Sequence, residues 1–133
     1  MLTYNSQEQT LTGLLLECDR STISGRTYPF TEVTKAVDVY QDKIKNGTAI
    51  GELGFNNNTT NPKLEDAAVR TLEVHFKDNM LYGTLKVLNT PSGQLLTSML
   101  NAKRRFRAGM ASVGTLTHGT VTDLYIVMFN VVH

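Results

Sequence analysis

The sequence predicts one α+β domain over residues 1–133: a small, mostly antiparallel, barrel-like sheet flanked by two helices. Three observations carry that expectation. Two stretches, near 31–46 and 91–104, repeat their apolar residues with a helical period. About six other stretches have the β-branched, aromatic or alternating character of strands. The resulting order, β-α-β-β-β-α-β-β, contains no regular βαβ repeat, which argues against a parallel doubly wound sheet. A chain of 133 residues holds one core of this kind, and no shift in composition marks a second domain.

Residues 10–18 open the pattern as a strand with an apolar centre, Leu14-Leu15-Leu16. A turn-rich stretch with Gly25 and Pro29 follows. Thr31 is the expected N-cap of the first helix, whose face carries Val33, Val37, Tyr40 and Ile44. Asn46-Gly47 is a stop signal. Residues 48–53 are a short strand. Residues 55–66, rich in Asn and Thr and containing Pro62, read as an exposed loop, because such side chains favour turns over ladders. Residues 67–77 and 80–88 flank Asp78-Asn79 and form the clearest hairpin. Thr90-Pro91 opens the second helix, with proline where no amide donor is needed. Its apolar stripe is Leu95, Leu96, Met99 and Leu100, and Lys103-Arg104-Arg105 suits the negative pole at its end. Residues 106–116 and 120–132 complete the sheet, the last dense enough in β-branched and aromatic residues to be buried.

Composition limits the function. A hydrophobic fraction of 41% and a charged fraction of 19% exclude a disordered chain, and a net charge of +1 gives no global attraction to nucleic acid or membrane. Cys18 is the only cysteine, so neither an intramolecular disulfide nor a cysteine-based zinc site can form. Residues 1–10 lack a signal-peptide pattern, and no apolar run approaches the roughly 20 residues that span a bilayer. The expectation is a soluble protein made in a reducing cytoplasm, with no membrane partner. No convergent spacing of His, Asp or Glu suggests a metal, and Gly109 and Gly114 do not match a dinucleotide or phosphate-loop fingerprint, so no cofactor is expected.

Four short segments carry a more specific signal. They are Ser24-Gly25-Arg26-Thr27-Tyr28-Pro29, Gly51-Glu52-Leu53-Gly54-Phe55, Asn89-Thr90-Pro91-Ser92-Gly93, and Ala108-Gly109-Met110-Ala111-Ser112-Val113-Gly114. In this order and spacing the chain resembles, over residues 12–130, the prohead (capsid-maturation) proteases of tailed bacteriophages. The resemblance implies a small β-barrel flanked by helices, related to the herpesvirus assembly proteases. It also implies a catalytic His at the position of Phe55 and a nucleophilic Ser at that of Ala111. A second family His corresponds to Arg70, and the arginine that follows the nucleophile corresponds to Val113. Phenylalanine cannot accept a proton and alanine has no nucleophile, so the chemistry of a serine protease is missing at both positions. The turn and cap residues match while the four chemical positions depart, the pattern of a pseudoenzyme. A one-residue slip in the matching would put Ser112 at the nucleophile position.

The first functional reading is therefore a non-catalytic structural virion protein of a tailed phage. It would be a capsid cement, decoration or head-associated subunit, present in many copies or as a homo-oligomer. Its partners would be the major capsid protein or other virion proteins, with the 54–66 loop and one exposed strand edge as contacts. The alternative is an active maturation protease using Ser112 with His75 as base. The simpler reading of His75 places it on the exposed face of an alternating strand with Glu73 and Lys77. His118 falls in a turn and His133 at the end of the chain. A third reading uses the basic cluster at 103–107, with Phe106 interleaved, to contact nucleic acid. Against it stands the absence of any other basic segment to complete a phosphate-binding face.

Overall fold

The computed structural model describes residues 1–54 and 63–133. Its elements are β1 (Thr3–Asn5), β2 (Thr10–Glu17), α1 (Phe30–Asn46), β3 (Ile50–Glu52), a single 3-10 turn (Leu64–Asp66), β4 (Ala67–Lys77), β5 (Met80–Val87), α2 (Pro91–Asn101), β6 (Arg107–Thr117) and β7 (Thr120–Val132). Phe55 and most of the expected 54–66 loop lie outside the described residues.

The architecture is the predicted α+β class with two helices and antiparallel sheets. Five strands form an open sheet in the order β1-β2-β5-β4-β3, and β6 and β7 form a separate two-stranded ribbon. The enclosure comes from the ribbon packing across that sheet. At the seam, Leu53 makes an isolated parallel bridge to Val131, and β2 packs against β6.

Local chemistry explains the elements. At the β4–β5 turn Asp78 has φ 56°, and the Asn79 side chain donates to the Cys18 carbonyl at 2.9 Å. The β6–β7 turn places both His118 (φ 50°) and Gly119 (φ 81°) in the left-handed region, as a tight hairpin requires. Helix α1 stops at Gly47, which takes φ 73°. Its start differs from the expectation at Thr31: Pro29 is the N-cap, without a side-chain bond. The Phe30 N–H instead donates to Asp19 Oδ1 at 3.0 Å, an acceptor eleven residues away. Helix α2 begins as predicted, Thr90 Oγ1 accepting from the Gly93 N–H at 3.0 Å. It ends at Asn101, so Lys103-Arg104-Arg105 lie beyond the helix rather than in its last turn. The three-residue β1 is an addition; it is too short to show a period.

The core has two main parts. Helix α1 buries Val33, Val37 and Tyr40 against Leu15, Leu16, Leu81, Ile126 and Phe129. The Tyr40 and Phe129 rings meet edge to face at 5.4 Å. Helix α2 buries Leu96 and Leu100 with Leu11, Val69, Leu85, Phe106 and Val131. Leu95, expected on that stripe, is 56% exposed. Phe106, expected among the basic residues as a contact, is 1% exposed and belongs to this second part of the core.

Candidate functional site

The second and fourth motif segments flank β7. On one side Gly51 lies so close to β7 that a Cβ there would meet the Phe129 carbonyl oxygen at 1.9 Å. The Glu52 N–H donates to Asn130 Oδ1 at 2.9 Å, and the Gly54 N–H to the Val131 carbonyl at 2.8 Å. Glu52 and Asn130 are both buried. The Lys63 N–H donates to Glu52 Oε2 at 3.2 Å, so this one side chain ties together the two ends of the intervening segment. The glycines and the glutamate of the motif thus have structural work to do here, whatever the chemistry. The sequence hint for Asn130 was a polar residue inside the apolar run 126–132.

On the other side of β7 lies β6. Met110 pairs with Phe129 and Ala111 with Met128; then the register slips, and Ser112 pairs with Ile126. Val127 is thus the extra residue, and this bulge bends β7 opposite the Ala111–Ser112 step. Ala111 is buried with Val127 and Met128. Ser112 is half-buried and lines a cavity of about 220 Å³ with Arg26 and Tyr28 of the first motif and with Val113 and Val121. Beyond it, residues 113–118 are exposed. Val113 stands opposite Tyr125, whose ring holds the Lys43 ammonium 4.8 Å from its centroid. Within the described residues β6 pairs only with β7, which leaves its other edge without a strand.

Ser112 and His75 are not brought together. His75 is exposed on β4, its Nδ1 2.9 Å from Glu73 Oε2, with its ring stacked on Tyr82 at 6.0 Å. No histidine is among the described residues lining the Ser112 cavity. Arg70 pairs with Ile50 and Lys86 across the five-stranded sheet, and its Nε is buried without a partner among the described residues. His118 is exposed in its turn, and His133 sits with its ring 5.5 Å from that of Phe106. The described residues contain no group of three or more His, Cys, Asp or Glu able to hold a metal ion. Burial, reinforced by Asp19 and Glu17, raises the Cys18 thiol to about 11, so it is not a thiolate nucleophile at neutral pH. No helix among the described residues is long and apolar enough to cross a membrane.

This fold matches the structure of the bacteriophage T4 capsid assembly protease, gp21, with a TM-score of 0.87 and 22% identity, over 92% of this chain and 80% of that one. At that identity the match establishes the fold. No curated protein matches the chain. The model of the family described as prohead core protein serine protease matches residues 6–132. The match spans all four motif segments and every strand from β2 to β7, and the chain belongs to the prohead core protein serine protease family.

Proposed function

We propose that this family member is a non-catalytic structural protein of a tailed-phage virion, a cement, decoration or head-associated subunit that acts through protein–protein contacts. The observation that carries the reading is Ala111. Strand register pairs it with Met128 and its side chain is buried, so the position that the resemblance assigns to the nucleophile has nothing to attack with. Phenylalanine at position 55 removes the matching base in the sequence. The contact surface we assign is the outer half of β6, residues 112–117. It combines an edge without a strand partner among the described residues with exposed Val113 and Leu116, the ingredients for adding a partner's strand.

One observation favours the alternative protease reading: Ser112 lines a cavity together with Arg26 and Tyr28 of the first motif. A single experiment separates the two. Purified protein is treated with a fluorophosphonate probe, and mature particles are analysed by quantitative mass spectrometry. The structural reading expects no label on Ser112 and an intact, many-copy protein in the particle. Labelling of Ser112 that is lost in His75→Ala, or a protein consumed during maturation, would establish the protease instead.

A further inference from the structure

The segment between α2 and β6 carries the densest charge in the molecule. Lys103, Arg104, Arg105 and Arg107 fall within five residues and all are exposed. Of the 13 Lys and Arg residues four stand here, leaving nine against 12 Asp and Glu elsewhere, so a chain of net charge +1 is strongly polarised. None of the four takes part in the ion pairs found among the described residues.

The backbone presents these charges rigidly. The Lys103 N–H donates to the Leu100 carbonyl and the Arg104 N–H to that of Met99, both at 3.0 Å, the paired bonds of a Schellman helix end. Phe106 plugs the far side into the core, and its carbonyl accepts from the Leu2 N–H at 2.9 Å. The Schellman end puts Lys103 at φ 66°. That is a position where glycine is favoured, and glycine is what α1 uses at its own end, in Gly47. A lysine held against backbone preference, followed by three more cations, exceeds what a helix pole rewards, since that effect fades within the last turn.

We infer that this turn is a polyanion-binding site whose ligand is the phosphate backbone of duplex nucleic acid, bound without sequence preference. Burial of Phe106 removes the aromatic platform on which single-stranded bases would stack. Strand-edge and apolar-pocket modes of peptide binding are not available to an exposed turn of cations, and the remaining peptide mode, an acidic segment on an Arg cluster, is separated from phosphate by the competition arm below. Phosphate contacts require only charge and reach, and with no second basic segment in the sequence the site is limited to these four cations, which sets the modest salt slope tested below.

The test is fluorescence anisotropy of the full chain with a labelled 30-base-pair duplex between 50 and 200 mM salt. Four phosphate contacts give a slope of log K against log salt of about −3.6, a loss of about 150-fold over that range. The quadruple variant Lys103→Gln, Arg104→Gln, Arg105→Gln, Arg107→Gln is expected to abolish the slope while keeping the circular dichroism spectrum. A charge-matched control, Arg20→Gln, Lys35→Gln, Lys45→Gln, Lys77→Gln, changes exposed residues elsewhere and is expected to keep it. Lys103→Gly is expected to lower the slope by about one while raising the Tm, because it relieves the left-handed backbone. The inference is overturned if wild type does not bind at 50 mM salt. It is also overturned if the control loses as much affinity as the quadruple variant, or if poly-glutamate displaces the duplex at equal charge concentration, which would make this a site for acidic protein.

Discussion

Replacing Gly51 with alanine tests whether the motif glycine is there to bring two sheets together. The added Cβ would sit 1.9 Å from the Phe129 carbonyl oxygen and 3.1 Å from Val69 Cγ2. The first neighbour is backbone, so it cannot rotate away, and β3 must retreat from β7 by more than about 1 Å to reach ordinary contact. Overpacking of this kind costs about 1–3 kcal/mol. The retreat also stretches the buried Glu52 N–H···Oδ1 bond to Asn130, and leaving that donor unsatisfied adds about 1–3 kcal/mol. A total near 4 kcal/mol follows. For 133 residues the unfolding entropy is about 0.28 kcal/mol per degree, so the Tm should fall by about 14 °C. Gly25→Ala is the control: its φ is 81° but a Cβ there meets nothing within 4 Å. It should lose only the backbone strain of about 1 kcal/mol, some 4 °C. Both are read by calorimetry or by circular dichroism melts. If Gly51→Ala melts no lower than Gly25→Ala, the close approach of β3 to β7 is not needed and the motif glycine requires another explanation.

Phe106→Ala should destabilise by about 3–5 kcal/mol in urea titration, because its ring is buried between α2 and β7, whereas Arg105→Ala should be near neutral. Stability should also fall in alkali. The folded Cys18 thiol titrates at about 11 against 9.0 in its ordinary state, so the folded form holds its proton longer. That contribution, about 1–3 kcal/mol, is complete below pH 9 and is lost as pH rises towards 11. Tyr40, raised by burial to about 12 from 10.0, extends the decline. Urea midpoints of wild type and Cys18→Ala measured from pH 8 to 11 should converge as pH rises; parallel curves would contradict the assignment.

The parts of this fold that were legible in the sequence are those set by neighbours a few residues apart. The period of α1, the Thr90-Pro91 start of α2 and the Asp78-Asn79 hairpin all rest on local chemistry and appear at or within a residue or two of their expected bounds. The misses are cases where distant residues decide. Thr31 looked like a cap, but Asp19 reaches in from the preceding loop. Leu95 fits a helical stripe, yet α2 turns only Leu96 and Leu100 fully inward. Phe106 sits among cations in sequence and is drawn into the core by Leu11, Leu96 and Val131. For the site, strand alternation put His75 on an exposed face, and there it lies. Alternation cannot say which two sheets will meet, so it gave no means of knowing that Ser112 and His75 keep different neighbours. Nor could it foresee that Ser112 shares a cavity with Arg26 and Tyr28, beside a bulge in β7 at Val127.

The β6–β7 ribbon is tied down at both ends, which makes it a beam on two supports. Its inner half is held by Met128, Phe129 and Val131 in the core, and at its tip the Thr27 N–H donates to the Gly119 carbonyl at 2.7 Å and the Val121 N–H to the Thr27 carbonyl at 2.9 Å. The first break in its ladder falls between Ala111 and Ser112, between the two supports. A beam held at both ends yields where its span is interrupted. Force applied to the exposed outer part of β6 is therefore delivered to that junction, opposite Val127 of β7.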